Sequence, residues 1–147
     1  MTLRIAFDIE TTARRPRSRR SEMNERIPLP DRRPSWTQSV LIAGQRLYLT
    51  FGEYPDGKLG EVFITTSKTG TFARGVLDAL ARQVSMSLQC GMPVEQVAGM
   101  LQGLNFPPNG DVTGSPNVSG CLSVTDFVAQ EMIASYHVIR ARLYGAP

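Results

Sequence analysis

The sequence predicts an α+β domain in which three helices pack on one face of a three-stranded antiparallel β-meander. Two observations predict this fold class. Residues 39–66 alternate apolar and polar side chains around two turn signals, and three later segments repeat apolar residues at helical spacing. The chain has 147 residues, of which 41% are hydrophobic and 20% charged, which is typical of one ordinary globular domain.

The meander is defined by its two turns. The first is predicted at residues 43–44 (Ala-Gly), where glycine can supply a positive φ. The second is predicted at residues 55–57 (Pro-Asp-Gly), because proline fixes φ, aspartate bonds its own backbone and glycine takes the left-handed conformation. The third strand then has the sequence GEVFITT, with Val62 and Ile64 on one face and Phe63 on the other.

The helical half begins at Thr71, a suitable N-cap, and the first helix is expected to end at Gly91. Its apolar positions are Phe72, Val76, Leu77, Leu80, Val84 and Leu88. Pro93 is tolerated at the start of a second helix, which places Val94, Val97 and Leu101 on one face.

A segment rich in proline and glycine separates the second helix from the last one. Its sequence is FPPNGDVTGSPNVSG (residues 106–120), and it is predicted to be a loop that holds no helix and no central strand. The last helix has the sequence SVTDFVAQEMIASYHVIRARLYG, with Phe127, Ile133 and Val138 among its expected buried residues.

Basic residues are concentrated before the meander. Residues 1–40 contain nine arginines against five acidic residues, and five of these arginines lie in ARRPRSRR (residues 13–20). The like charges and the proline leave little to bury, so residues 1–26 are predicted to form a flexible Arg-rich arm and residues 27–147 the folded domain. Such an arm attracts nucleic-acid phosphates, although it can equally be a solubilising extension.

Several classes of protein are excluded by composition. No apolar run approaches the roughly 20 residues that span a bilayer, and the first ten residues carry acids without the apolar core of a signal peptide. The two cysteines, Cys90 and Cys121, make neither a disulfide framework nor a zinc site. A reducing cytoplasm, no metal ion and no cofactor are therefore expected.

The segment FDIETT (residues 7–12) is similar to the strand end on which proofreading-type 3′–5′ exonucleases hold their first two metal-binding carboxylates. Two carboxylates cannot build a two-metal site by themselves. The further acids that this chemistry needs do not follow at the required spacing, since the lone His137 has no aspartate after it. We therefore expect no nuclease activity.

Three long motifs, taken in order, identify a family. They are LPDRRPSWTQSVLIAGQRLYLTFGEYPDGKLGEVFI (29–64), GVLDALARQVSMSLQCGMPVEQV (75–97) and GSPNVSGCLSVTDFVAQEM (114–132). This order resembles the TSCPD domain, the C-terminal module of adenosylcobalamin-dependent (class II) ribonucleotide reductases. In that family a LPDxR segment precedes a meander that ends in GE.FI, and a helix pair of the type LLDAFA..VS..LQYGVP follows. The resemblance covers about residues 26–136.

The resemblance implies an accessory module without a reductase's catalytic machinery. Radical ribonucleotide reduction needs a cobalamin-holding barrel and several thiols, whereas this sequence has two cysteines and no C-x-x-C pair. Three functions stay open: a non-catalytic module that binds a reductase subunit or a nucleotide, a nucleotide-sequestering protein that could be viral, and a nucleic-acid-binding protein that uses the arm. A homodimer or larger assembly would suit the first two, since sheet edges often self-associate.

Polar positions within these motifs are the candidate ligand residues: Arg74, Thr71, Glu53, Glu61, Asp78 and Asn117. Arg74 lies in the first turn of a helix whose N–H groups favour a phosphate, although an ion pair with Asp78 is the alternative. Glu53 and Glu61, together with Asp56, surround the second turn of the meander, either as a ligand rim or as turn chemistry.

Four further residues have mainly structural interpretations. Asn117 can bond its own backbone in a turn. Cys121 aligns loosely with the cysteine that names the family, but its surroundings, GCLSVTD, depart from the motif, so a small buried thiol is expected. His137 is expected to be a packed or capping side chain, and Trp36 is expected to anchor the arm.

Overall fold

A computed structural model describes residues 24–67 and 70–145, apart from the side chains of residues 138–140 and 142–144. It contains one five-stranded antiparallel sheet and three helices, in the strand order β3-β2-β1-β4-β5. The elements along the chain are β1 (Ser35–Ile42), β2 (Gln45–Glu53), β3 (Leu59–Thr66), α1 (Phe72–Gln89), α2 (Val94–Leu101), β4 (Gly110–Thr113), β5 (Gly120–Cys121) and α3 (Val124–Tyr144). The predicted α+β class, with the meander β1–β3 and three helices, is confirmed.

Both predicted turns of the meander are present. Ala43 and Gly44 have φ values of 47° and 80°, as a two-residue turn with two left-handed positions requires. Gly57 has a φ of 85°, and the carboxylate of Asp56 accepts a hydrogen bond from the backbone N–H of Lys58 at 3.0 Å. Asp56 therefore serves the turn in the way that the Pro-Asp-Gly tripeptide predicts.

The hydrophobic core lies on one face of the sheet. Alternate residues of the three long strands are buried there, and they join buried residues of all three helices in one cluster: Val40, Ile42, Leu47, Leu49, Phe51, Val62, Ile64, Val84, Val97 and Phe127 are among its members. Phe63 points to the opposite face and is 46% exposed, as its place between Val62 and Ile64 predicts. The helices thus cover one side of the sheet only.

The helix ends follow their predicted signals. The hydroxyl of Thr71 accepts from the backbone N–H of Arg74 at 3.2 Å and caps α1. Gly91, with a φ of 86°, follows the last turn of α1, and Pro93 is the residue before α2. In α3, Phe127 is fully buried and Ile133 packs partly buried against the core, whereas Val138 lies outside the described side chains.

The segment of residues 106–120 is not only loop, and the prediction that it holds no central strand is wrong. It contributes β4, which lies between β1 and β5 and pairs Val112 with Ile42. The strand is four residues long, and its prolines and glycines fall at its ends, where they interrupt no ladder bond. Gly114, just after β4, has a φ of 93°, and a Cβ there would lie 2.5 Å from the carbonyl oxygen of Ser39.

The amino-terminal side of the described chain lies against the end of α1. Arg26 donates from Nε to the Oε1 of Gln89 at 2.8 Å, and the backbone N–H of Ile27 donates to the Gln89 carbonyl at 3.0 Å. Residues 1–23 of the predicted arm, and with them FDIETT, lie outside the described residues. Trp36 lies edge-on to Phe51, with ring centroids 4.8 Å apart, and packs partly buried against the core.

Candidate functional site

One line of polar side chains on α1 satisfies the free edge of the sheet. β3 pairs with β2 on one side, and no strand of the described residues pairs with its other side. Along that free side, Ser85 accepts from the backbone N–H of Val62 at 2.9 Å, and Gln89 donates from Nε2 to the carbonyl of Gly60 at 3.0 Å. These α1 side chains therefore take the place of a neighbouring strand at the backbone groups of Gly60 and Val62.

Arg74 continues this line at the other end of α1. It donates from Nη1 to the carbonyl of Thr66 at 3.3 Å and from Nε to both carboxylate oxygens of Asp78 at 3.2 and 3.3 Å. Thr71, Arg74 and Asp78, three of the predicted ligand residues, are thus brought together at the start of α1. An incoming phosphate would compete with Asp78 for the guanidinium, whose side chain is 27% exposed.

Glu61 lies at the opposite end of β3 and is bound by an arginine. Its Oε2 accepts from Nε of Arg33 at 2.6 Å and from Nη2 at 2.5 Å, while Arg33 Nη1 also donates to the backbone carbonyls of Pro30 and Asp31. Thr66 lies five residues after Glu61, which is about 16 Å along β3. Glu61, and Glu53 at the end of β2, therefore do not share one site with Arg74.

Sequence reasoning missed Arg33. Arg33 is the last residue of the LPDRR segment, which precedes the meander in the family motif. A contact between this segment and the meander could therefore have been expected. The structure shows that contact as the half-buried ion pair with Glu61, packed over Gly52, where a Cβ would lie 3.0 Å from the Glu61 carboxylate. The two motif ends LPDxR and GE are thus held together through these two side chains.

Asn117 belongs to a third place, beside a buried carboxylate on α3. Its Nδ2 donates to Oε2 of Glu131 at 3.3 Å, and the hydroxyl of Ser115 donates to Oε1 of the same fully buried residue. Ser115 in turn accepts from the backbone N–H groups of Asn117 and Val118. This network connects the loop after β4 to α3. The side chain of Asn117 was expected to bond its own backbone, and in the structure it bonds Glu131.

Two buried ionisable groups, Cys121 in β5 and Asp126 in the first turn of α3, lie close together in the sequence. Burial opposes ionisation of Asp126, yet hydrogen bonds from the backbone N–H groups of Gly103 and Leu122 and from Gln130 lower its pKa below the ordinary value. Burial raises the pKa of the Cys121 thiol, which confirms the expected small buried thiol.

An open groove lies beside the first two turns of α1, with a volume of about 770 Å³. Its floor is formed by core residues next to the β1–β2 turn, one wall by α1, and the other wall by residues 106–108 and the start of α3. Its apolar lining includes Leu41, Ile42, Leu47, Phe72, Val76, Leu77, Leu80, Phe106 and Val124. Phe72 and Val76 are 88% and 49% exposed, so these two apolar positions of the predicted helix pattern are not core residues.

The lining of the groove is almost uncharged. Arg46 is the one charged residue among the described residues that line it, but its side chain extends over the opposite face of the sheet, where Nη1 donates to the hydroxyl of Ser39 at 2.8 Å. The N-terminal end of α1, which has no acidic residue in its first turn, opens at the rim of the groove. A negatively charged group is favoured at this helix end.

The described residues offer neither a metal site nor a membrane span. No three His, Cys, Asp or Glu side chains in residues 24–67 and 70–145 lie close enough to hold a metal ion. Within the same ranges, none of the helices has the length and apolar character to cross a bilayer. His137, expected to be packed or capping, is exposed, with its ring centroid 5.9 Å from that of Tyr136.

Known proteins match this chain over most of its length. A family model of the TSCPD domain matches residues 17–136. The chain is 38% identical over 114 residues to the vitamin B12-dependent ribonucleotide reductase of Bradyrhizobium diazoefficiens, and the match covers 78% of this chain and 9% of that protein. The enzyme of the same description from Agrobacterium fabrum is 36% identical over 112 residues, which cover 76% and 9%. The one from Rhodopirellula baltica is 37% identical over 102 residues, which cover 69% and 10%. No solved structure matches.

Proposed function

Because the chain belongs to the TSCPD domain family, we propose that it is a non-catalytic module that associates with a ribonucleotide reductase and acts in DNA precursor synthesis. The observation that carries the proposal is the extent of the match. It covers about three quarters of this chain but only about a tenth of each reductase, so the likeness is that of one domain. A module of this size would supply contacts to a reductase chain, which would provide the radical chemistry.

The positions shared with the family motifs support a role in binding. Arg33 and Glu61 hold two motif segments together, and Ser85 and Gln89 satisfy the edge of the sheet. These four residues, which match the family motifs, are therefore used to maintain the fold. The groove beside α1, with its exposed aromatic and aliphatic side chains, is then the surface that remains for a partner.

The test uses a reductase that lacks its own copy of the domain. The matching tenth is removed from the Bradyrhizobium diazoefficiens enzyme, and deoxynucleotide formation is measured with adenosylcobalamin and a dithiol, with and without this chain. We expect the chain to bind the truncated enzyme more tightly than the full-length enzyme and to change its rate. We expect the chain alone to form no product.

Two results would contradict the proposal. Deoxynucleotide formed by the chain alone, above a control without protein, would refute the non-catalytic role. If calorimetry detects no binding to the truncated enzyme and the rate does not change, association with a reductase is wrong.

A nucleotide ligand is the second candidate, and the position of the groove favours it. An apolar cleft that opens at the N-terminal end of α1 could hold a base against Phe72 and a phosphate at the helix N–H groups. Thr71 and Arg74 would then lie at the phosphate, and Asp78 would orient Arg74. Glu53, Glu61 and Asn117, the other proposed ligand residues, lie elsewhere in the fold and would need a second contact or a second subunit.

Titration calorimetry against mononucleotides, dinucleotides and cyclic nucleotides tests this candidate. Arg74→Ala should weaken binding by about 1.5–3 kcal/mol, the scale of a hydrogen bond to a charged group, whereas Arg82→Ala, an exposed arginine on the same helix, should bind as the wild type does. Binding no tighter than millimolar across the panel would leave the protein partner as the remaining candidate.

The proposed homodimer or larger assembly has one geometric restriction. The free edge of β3 is occupied by the side chains of Ser85, Gln89 and Arg74, so two subunits would not join through that edge. An assembly that forms would use another surface, and sedimentation of the purified chain measures whether it forms.

A further inference from the structure

The face of the sheet opposite the helices presents two aromatic side chains next to each other. Tyr48 on β2 and Phe63 on β3 point to this face and are 38% and 46% exposed. Tyr48 lies opposite Thr65, and Phe63 lies opposite Thr50, so the two aromatic residues are diagonal neighbours about 7–8 Å apart. The side chains around them are short and carry hydroxyl groups: Thr37, Ser39, Thr50 and Thr65. Both rings therefore extend beyond neighbours that are too short to cover them.

An arginine lies beside this aromatic pair. Arg46 precedes Tyr48 by two residues on the same face of β2, which is about 7 Å along the strand. No carboxylate of the described residues forms an ion pair with Arg46. On the same face, Glu61 is already bound by Arg33, and Asp111 lies on β4, two strands away from Arg46. The charge next to the two rings is therefore positive.

Aromatic rings beside a cation on an open sheet suit the bases and phosphates of single-stranded nucleic acid. Unpaired bases stack on exposed aromatic side chains, and one sheet can hold two or three of them in this way. A phosphate between two such bases would lie near Arg46, whose guanidinium can bind it with two hydrogen bonds. A duplex keeps its bases paired and stacked on one another, so it offers no free base to the rings.

The sequence supplies further positive charge for such a strand. Residues 13–20 contain five arginines and end four residues before Asn24, where the described chain begins. Their attraction to phosphates does not depend on the base sequence. The sheet face and the arm would therefore contribute two different terms: base stacking from the face and most of the salt-dependent attraction from the arm.

A second copy of the chain fits this face less well. The three long strands form a surface about 14 Å wide, and residues 46–52 extend about 20 Å along it, which gives a flat area of about 300 Å². A stable protein interface takes about 800 Å² from each partner and has an apolar centre. Here the two rings are surrounded by hydroxyl groups, so a protein surface would bury little apolar area against them.

We propose that the open face of the sheet binds single-stranded nucleic acid, with bases stacked on Tyr48 and Phe63 and a phosphate bound by Arg46. This site lies on the other side of the sheet from the groove beside α1. It does not rest on the association with a reductase.

The test measures binding of the full chain to fluorescein-labelled 12-nucleotide oligothymidylate and oligouridylate by fluorescence anisotropy. We expect the single strands to bind more tightly than a duplex of the same length, and the comparison of the two strands separates DNA from RNA as the natural ligand. Tyr48→Ala and Phe63→Ala should each weaken binding about fivefold or more and leave its salt dependence unchanged. Arg46→Gln should make the slope of log K against log salt shallower by about 0.7, the value for one phosphate of a single strand.

The matched variant is Phe72→Ala, which removes an 88% exposed phenylalanine from the helix side of the sheet and should bind the strands as the wild type does. Tyr48→Phe should also bind as the wild type does, because it keeps the ring. Tyr48 and Phe63 lie outside the buried core cluster, so their alanine variants should retain the wild-type melting temperature. Should either value fall, leucine replaces alanine, since it keeps apolar area on the strand and removes the ring.

Three results would overturn the proposal. If binding is lost on deletion of residues 1–23 but unchanged in both ring variants, the arm alone binds nucleic acid. If Phe72→Ala weakens binding and the ring variants do not, the bases lie in the groove beside α1. If sedimentation shows a dimer that Phe63→Ala dissociates, a second copy of the chain covers the face.

Discussion

Replacing Ser85 by alanine tests whether α1 stabilises the edge of the sheet. The Ser85 hydroxyl accepts from the backbone N–H of Val62 at 2.9 Å and lies 3.2 Å from the Val62 carbonyl and 2.8 Å from the Ala81 carbonyl. Ser85 and Val62 are both buried, so water cannot replace the lost group. An unsatisfied buried N–H costs about 1–3 kcal/mol, and the higher helix propensity of alanine returns about 0.5 kcal/mol. The net loss of unfolding free energy should be roughly 0.5–2.5 kcal/mol.

The matched control is Ser87→Ala, two residues further along the same helix. Its hydroxyl donates only within α1, to the Gln83 carbonyl at 2.9 Å, so the variant gains the same propensity and loses no contact to the sheet. Urea unfolding should show a lower midpoint for Ser85→Ala, an unchanged or higher midpoint for Ser87→Ala, and similar slopes for both. Equal unfolding free energies for the two variants would refute the role assigned to Ser85.

Two further predictions concern pH and the amino-terminal arm. The pKa of Asp126 is lowered in the folded state, so its contribution to stability is present above its ordinary pKa and is lost as the pH falls through the folded value. Asp126→Asn should therefore be less stable than the wild type at pH 7, and the difference between the two, measured by urea unfolding at several pH values, should shrink towards pH 3. Deleting residues 1–23 should leave the melting temperature nearly unchanged, because an Arg-rich segment with a proline offers little apolar area to bury. It should also abolish salt-sensitive retention on a nucleic-acid column, and retention that persists would place the basic surface in the domain.

The meander and the helix ends were predictable because their signals are local. A turn of Ala-Gly or Pro-Asp-Gly and a cap such as Thr71 act within a few residues, and the structure shows each of them in place. The short strand β4 was not predictable in this way. The strand forms because Val112 pairs with Ile42, some seventy residues earlier in the sequence. Its own four residues, which have glycine and proline on both sides, are too few to show a periodic pattern.

The candidate ligand residues show the same limit. Arg74 and Asp78 lie one helical turn apart, so their proximity followed from the sequence. The distance between Glu61 and Arg74 did not, because it depends on α1 running antiparallel to β3. The exposure of Phe72 and Val76 was also hidden: an apolar residue in a helical pattern gives no sign of whether the domain itself or another molecule will cover it.

The polar line on α1 also limits how the length of this helix can change. Arg74, Ser85 and Gln89 reach β3 only while they stay on one side of the helix, each opposite its own backbone group. One inserted residue between Arg74 and Ser85 would turn Ser85 and Gln89 by about 100° and move them about 1.5 Å along the axis. Both would then lose their contacts with β3 at once. Insertions and deletions should therefore be excluded from the middle of α1, so that the number of residues in this helix is restricted as well as their identity.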